Sequence, residues 1–128
     1  MLKSNIRVSL IRFFTFIVFA GCFCSYAEDR IPASKSPFYV GKTVMACGRV
    51  AQVTTRSSAT YINLDSPFPN QTLGLVVWAR NVDEYEARLG SLSGLSDRMV
   101  CARGKITEYH GKLQMLMDNP QFLRLMAK

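Results

Sequence analysis

The chain has 128 residues, of which 48% are apolar, and a formal net charge of +7. This length allows one domain with a single core and excludes a multidomain protein. The chain has one histidine and lacks the nucleophile elbow, the zinc-protease helix motif and the phosphate loop. We therefore expect a binding protein without catalytic activity, and we expect it to need neither a cofactor nor a metal ion.

The N-terminus has the order of a secretion signal. A basic stretch over residues 1–12 precedes an apolar run, Phe13–Phe23, and the small residues Ser25 and Ala27 follow. The run is shorter than the roughly 20 apolar residues of a spanning helix. We predict a signal peptide over residues 1–27, cleaved after Ala27, and therefore a periplasmic or secreted protein. Three basic residues leave with it, so the net charge falls from +7 to +4.

Two alternatives remain for this segment. Phe19–Cys22 resembles the lipobox of bacterial lipoproteins, in which the cysteine is lipidated and becomes the N-terminal residue. Lipidation at Cys22 would attach the protein to a membrane. The other alternative is an uncleaved anchor helix.

Residues 28–37 are polar and contain two prolines, which predicts a flexible lead-in to a domain over residues 38–128. Within that domain, period-two alternation and apolar runs bounded by turn residues predict five strands, over 43–53, 60–65, 73–78, 98–109 and 112–117. Helical spacing begins at Val82, with Asn81 as the N-cap and Gly90 as the stop. His110 and Gly111 form the predicted turn of the last hairpin.

Three strands, a short helix and two more strands are the order of an OB-fold, a five-stranded, partly open barrel. The predicted fold class is therefore all-β with one short helix. Gly48 and Gly104 lie in the middle of the first and fourth strands, where a small barrel needs its strands to bend. A β-sandwich is the alternative, but it usually needs about seven strands.

Several short motifs carry a resemblance to a family of small exported bacterial OB-fold proteins. They are Gly41-Lys42, Cys47-Gly48-Arg49-Val50, Tyr61-Ile62-Asn63-Leu64, Val76-Val77-Trp78, Cys101-Ala102-Arg103-Gly104-Lys105-Ile106 and Glu108-Tyr109-His110-Gly111-Lys112. More distantly, the chain resembles the OB modules of anticodon-binding and replication proteins. The similarity covers Val40 to about Leu125. It implies the fold, and it implies function only by analogy.

Cys47 and Cys101 are the two cysteines that remain after cleavage. An even number in an exported chain favours one disulfide. In an OB barrel the first and fourth strands are antiparallel neighbours, which would bring these two residues together. Two buried thiols are the alternative.

An OB barrel usually binds its ligand across the outer face of its second and third strands, between the first–second and fourth–fifth loops. Alternation and the loops select ten candidates: Arg49, Arg56, Tyr61, Asn63, Trp78, Arg80, Arg103, Lys105, Tyr109 and Lys112. Rings interleaved with cations suit single strands, because bases stack on rings while cations follow phosphates. We therefore predict single-stranded DNA or RNA as the partner, bound with an affinity that falls steeply with salt.

A different class of function fits the same barrel. An envelope protein could use it to bind a protein partner, a glycan or a small ligand, and an exported location favours that alternative.

Overall fold

A computed structural model describes Gly21 and residues 30–127 of the chain. Apart from Gly21, the predicted signal peptide, its cleavage point and Cys22 lie outside the described residues and stay predictions. Within the described ranges, no helix is both long and apolar enough to cross a membrane.

Strands dominate the described chain. They are β1 Arg30–Pro32, β2 Thr43–Thr55, β3 Ala59–Leu64, β4 Leu73–Trp78, β5 Met99–Tyr109, β6 Lys112–Leu116 and β7 Leu123–Leu125, and the helix α1 spans Val82–Leu89. The five strands predicted from alternation are β2 to β6, and their ends agree with the prediction within two residues. The helix is also confirmed, and Gly90, with φ +81°, ends it.

Strands β2 to β6 close into a barrel. β2 pairs antiparallel with β3 and β5, β3 with β4, and β5 with β6, while β4 and β6 run parallel. This order is the OB-fold topology, so the predicted fold class is confirmed. Closure pairs both edges of every barrel strand and leaves none of the five as a template for aggregation.

The barrel is filled by the inward-facing residues of the alternating strands. Ile62, Leu75, Ile106 and Met115 are fully buried. Met115 crosses the face of Gly104, where an added Cβ would lie 2.6 Å from Met115 Cγ. Gly104 therefore lets a large side chain lie against the backbone of β5, in addition to the bend predicted from sequence.

Residues 30–37 differ from the predicted flexible lead-in. Arg30–Pro32 form β1, which pairs in parallel with β2, and Ala33–Tyr39 form a 3-10 segment against the barrel. Ile31, Ala33 and Ser36 are buried, and Ser36 Oγ donates a hydrogen bond to the Ala33 carbonyl at 2.6 Å. Three separate buried positions are too few to produce a periodic signal, and the prolines predicted a loop.

The predicted Cys47–Cys101 disulfide is present. The two residues lie directly opposite each other on β2 and β5, with their Cα atoms 4.0 Å apart. The Arg30 guanidinium contacts both sulfurs, with Nε 3.3 Å from Cys47 Sγ and an Nη atom 3.2 Å from Cys101 Sγ. An intramolecular disulfide points to an oxidising environment.

All the strand pairings above, the described core and the disulfide lie within residues 30–127. A chain of residues 28–128 therefore contains every element that the described fold uses.

Candidate functional site

A cleft of about 550 Å³ lies on the outer side of β3, β4 and β6. It lies between the β2–β3 turn and the β5–β6 hairpin, so it occupies the face at which OB barrels usually bind their ligands. The residues that line it are Gln52, Thr54, Arg56, Tyr61, Asn63, Phe68, Gln71, Gly74, Val76, Tyr109, His110, Lys112, Leu113 and Gln114.

A β-bulge in β2 turns part of that strand towards the cleft. Val50 pairs with Leu64, but the next paired residues are Gln52 and Asn63, so β2 has one extra residue there. Without the bulge, Gln52 would point to the same side as buried Val50. With it, Gln52 faces the cleft beside Asn63, as bulges next to binding sites often arrange.

Three aromatic side chains surround the cleft. Tyr61 lies half-buried on β3, opposite Val76 of β4. Tyr109 ends β5, is 61% exposed, and packs edge-on against His110 with ring centroids 4.1 Å apart. Phe68 belongs to the β3–β4 loop and is 64% exposed. A large apolar ring that is mostly exposed beside a cleft is available to stack against a ligand.

Specific hydrogen bonds hold the β3–β4 loop against the barrel. Gln52 Oε1 accepts from the Phe68 backbone N–H at 3.0 Å and from Asn63 Nδ2 at 3.1 Å. On the other side, Lys112 Nζ donates to the Pro69 carbonyl at 2.8 Å. Phe68 is therefore held at the cleft by β2, β3 and the β5–β6 hairpin.

Four carboxamides line the cleft, those of Gln52, Asn63, Gln71 and Gln114. Asn63 is 5% exposed and is engaged with Gln52. Gln71 Oε1 is buried and accepts no hydrogen bond from the described residues. Gln114 faces the cleft opposite Gly74, a residue without a side chain that would narrow it. Amides bind neutral polar edges, such as those of bases and sugars.

The charge of the cleft is positive but modest. Arg56 and Lys112 line it, and its described lining includes no carboxylate. His110 and Gly111 form the hairpin turn with φ +47° and +74°. This left-handed pair suits a two-residue turn and presents the ends of both strands to the cleft.

Five of the ten residues predicted from sequence line the cleft: Arg56, Tyr61, Asn63, Tyr109 and Lys112. Trp78 lies on the outer face of β4 with Val76, as expected, but it is opposite Ala59, half-buried, and outside the lining. Arg80 follows in the 3-10 turn after β4, also outside it.

The other three predicted cations lie on a different side of the barrel. Arg103 and Lys105 pair with Met45 and Thr43, on the β2–β5 sheet. Arg49 lies further along that sheet, with Nε 3.7 Å from Asp97 Oδ1. None of the three lines the cleft, and their part in ligand binding stays a prediction. Alternation shows that a side chain points out of a barrel, but it does not show which of the five strand pairs the side chain covers.

Phe68, Gln52 and Gln114 were missed. Phe68 lies in a segment with two prolines, which indicated a loop and gave no sign of an exposed ring. The outward direction of Gln52 could not be predicted, because it depends on the bulge, and the alternation of β2 does not show the bulge. Only the alternation of residues 112–117, which buries Met115 and Met117, could have placed Gln114 outside.

Comparison with known proteins confirms the fold. No protein-family model matches the chain, and no curated protein matches it in sequence. Among solved structures, it is similar to a chain named as an aspartyl-tRNA synthetase from Leishmania major Friedlin, with 15% identity and a TM-score of 0.53 over 78% of this chain. This chain spans 21% of that synthetase chain.

Two further neighbours are of domain size. The S. pombe Stn1–Ten1 complex matches with 15% identity and a TM-score of 0.52, over 72% of this chain and 68% of the other. OBody AM3L15, bound to hen egg-white lysozyme, matches with 11% identity and a TM-score of 0.53, over 75% and 92%. At these identities the similarity shows the OB-fold and not a function.

Proposed function

We propose that this protein is an exported, non-enzymatic OB-fold module that binds single-stranded DNA or RNA in the cleft. The observation that carries the proposal is the meeting of Tyr61, Phe68 and Tyr109 with Arg56 and Lys112 around one concave surface. Rings can stack on unpaired bases while the two cations neutralise phosphates.

The fold and its neighbours support this assignment without deciding it. OB barrels bind oligonucleotides on this face, between these two loops. Export is supported by the disulfide, which oxidising compartments maintain, and by the order of the N-terminal sequence.

The test is fluorescence anisotropy of labelled single-stranded oligonucleotides with oxidised residues 28–128. Tyr61→Ala and Phe68→Ala should each weaken binding, because a stacked base is worth about 1–3 kcal/mol, or roughly 5- to 150-fold in Kd. Phe122→Ala is the matched control, since Phe122 is a partly exposed ring under Arg103, outside the cleft lining. Equal losses in all three variants would contradict the assignment.

Gly74→Val is a second, independent test. A side chain at Gly74 would enter the cleft, where an added Cβ would be 3.5 Å from Asn63 Oδ1, an ordinary contact. The variant should therefore fold and lose binding while every cation is retained. Unchanged binding in this variant would place the ligand elsewhere on the barrel.

An oligosaccharide is the second candidate ligand, and the amides favour it. Four carboxamides with aromatic rings and two cations form a site that is less positive than a phosphate-binding groove normally is. OB barrels also bind oligosaccharides through this face. Binding of neutral glycan fragments, together with no oligonucleotide binding at low salt, would select this candidate.

A further inference from the structure

The barrel has a second exposed surface, away from the cleft. β1 adds in parallel to β2, and β7 adds antiparallel to β5, so β1, β2, β5 and β7 form one sheet. The segment Ala33–Lys42 joins β1 to β2 and packs beside this sheet, and we call its exposed surface the basic face. The cleft lies mainly on β3, β4 and β6, so it opens on another side of the barrel.

The basic face and the adjoining sheet contain many cations and few acids. No aspartate or glutamate occurs in β1, β2, β7 or the described chain between β1 and β2, and the acid of β5, Glu108, lies where that strand pairs with β6. The basic face has two exposed cations, Lys35 and Lys42. The adjoining sheet adds Arg30, Arg49, Arg103, Lys105 and Arg124, and Arg49 lies beside Asp97. Glu28 and Asp29 lie outside the described residues. The acids of the described chain concentrate instead on α1, with Asp83, Glu84 and Glu86.

Exposed apolar side chains lie among these lysines. Phe38 is 74% exposed and Val40 is 45% exposed, while Tyr39 between them packs towards the core. Lys35 Nζ lies 5.6 Å from the centroid of the Phe38 ring, and Lys42 Nζ lies 5.8 Å from that of Tyr39. Each lysine therefore carries its charge beside an aromatic ring at the protein surface.

We propose that the basic face docks on a bilayer surface that contains anionic lipids. Phe38 and Val40 would enter the headgroup region, and Lys35 and Lys42 would bind the anionic headgroups. Exposed apolar side chains flanked by lysines fit a bilayer interface, which is apolar beneath a charged layer. A phosphate backbone offers the charge but no apolar layer for Val40 or Phe38.

Docking through the basic face would leave the cleft open to solvent, because none of the residues Ala33–Lys42 lines the cleft.

The test is co-sedimentation of oxidised residues 28–128 with vesicles of phosphatidylcholine alone or mixed with phosphatidylglycerol. We expect binding only to the mixed vesicles. The variant Lys35→Gln/Lys42→Gln should lower the partition coefficient about 25-fold, since each lysine near an anionic surface contributes about five-fold. The matched control, Arg80→Gln/Arg88→Gln, removes two exposed charges near α1 and should lower the partition coefficient much less. Far-UV circular dichroism confirms folding of each variant.

Phe38→Ser separates insertion from charge attraction. Phe38 is mostly exposed, so the variant should fold, bind mixed vesicles more weakly and keep the salt dependence of the wild type. Unchanged binding would overturn the membrane proposal, as would equal losses in the two double variants or no binding to mixed vesicles at low salt.

Loss of oligonucleotide binding in Lys35→Gln/Lys42→Gln would assign the basic face to nucleic acid instead. Tyr61→Ala should bind vesicles like the wild type, so failure of the proposed cleft function leaves this test intact.

Discussion

The salt dependence of oligonucleotide binding distinguishes the cleft from the wider set of cations that the sequence indicated. Only Arg56 and Lys112 among those cations line the cleft. Each phosphate neutralised on a single strand contributes about −0.7 to the slope of log K against log salt. Two cations therefore give a slope of about −1.4, so raising salt from about 50 to 200 mM should weaken binding about 7-fold.

The sequence-based set gives a very different value. It contains six cations, Arg49, Arg56, Arg80, Arg103, Lys105 and Lys112. If all six neutralised phosphates, the slope would be about −4.2, and the same change in salt would weaken binding about 340-fold. The steep fall expected from counterion release at many phosphates and the shallow one expected from the cleft alone therefore differ enough to be told apart in one assay.

The assay is a titration of a labelled oligonucleotide at four or more salt concentrations, with the wild type and two variants. Arg56→Gln should reduce the slope by about 0.7, because one fewer counterion is released. Lys105→Gln is the control and should leave the slope unchanged, since Lys105 lies opposite Thr43 on the other sheet. A wild-type slope steeper than about −3, or equal changes in the two variants, would refute the assignment of the strand to the cleft.

Three further predictions concern stability. The Cys47→Ser/Cys101→Ser variant should lose about 4 kcal/mol of unfolding free energy, measured by urea denaturation. The reason is that the disulfide closes a loop with a sequence separation of 54. A loss below about 1 kcal/mol would contradict the loop-entropy argument. Tyr85→Phe should be neutral or stabilising in the same assay, since the buried Tyr85 hydroxyl has no partner among the described residues. Burial of the hydroxyl raises the pKa of Tyr85 above its ordinary 10.0, and the charges of Asp118 and Glu84 raise it further. The free energy of unfolding of the wild type should therefore fall as the pH rises past 10.0, and that of Tyr85→Phe should fall less. Gly48→Val should destabilise the fold by about 1–3 kcal/mol, because an added Cβ would already lie 3.0 Å from Ala33 Cβ, and a melting temperature equal to that of the wild type would contradict this.

Some of the candidate site could be predicted from the sequence, and some could not. Tyr61 and Asn63 follow from the alternation of β3, and Tyr109 and Lys112 follow from the His110-Gly111 turn between them. Phe68 could not be placed, because its position depends on two distant hydrogen bonds. Its backbone N–H donates to Gln52, 16 positions away, and Lys112 donates to the carbonyl of Pro69, 43 positions away. Side-chain contacts over such distances leave no local pattern.

The sequence by itself determined the five barrel strands, the helix and the hairpin turn, and it favoured the pairing of Cys47 with Cys101. These features depend on local periodicity, on turn chemistry and on strand order, all of which are present along the chain. Only the tertiary structure decided which outward-facing residues share a surface. Closing the barrel put Arg103 and Lys105 on one side and Arg56 and Lys112 on another, because successive strand pairs face different directions around the barrel axis. The separation of the cleft from the outer side of the β2–β5 sheet is therefore a property of barrel closure, and alternation along a strand cannot encode it.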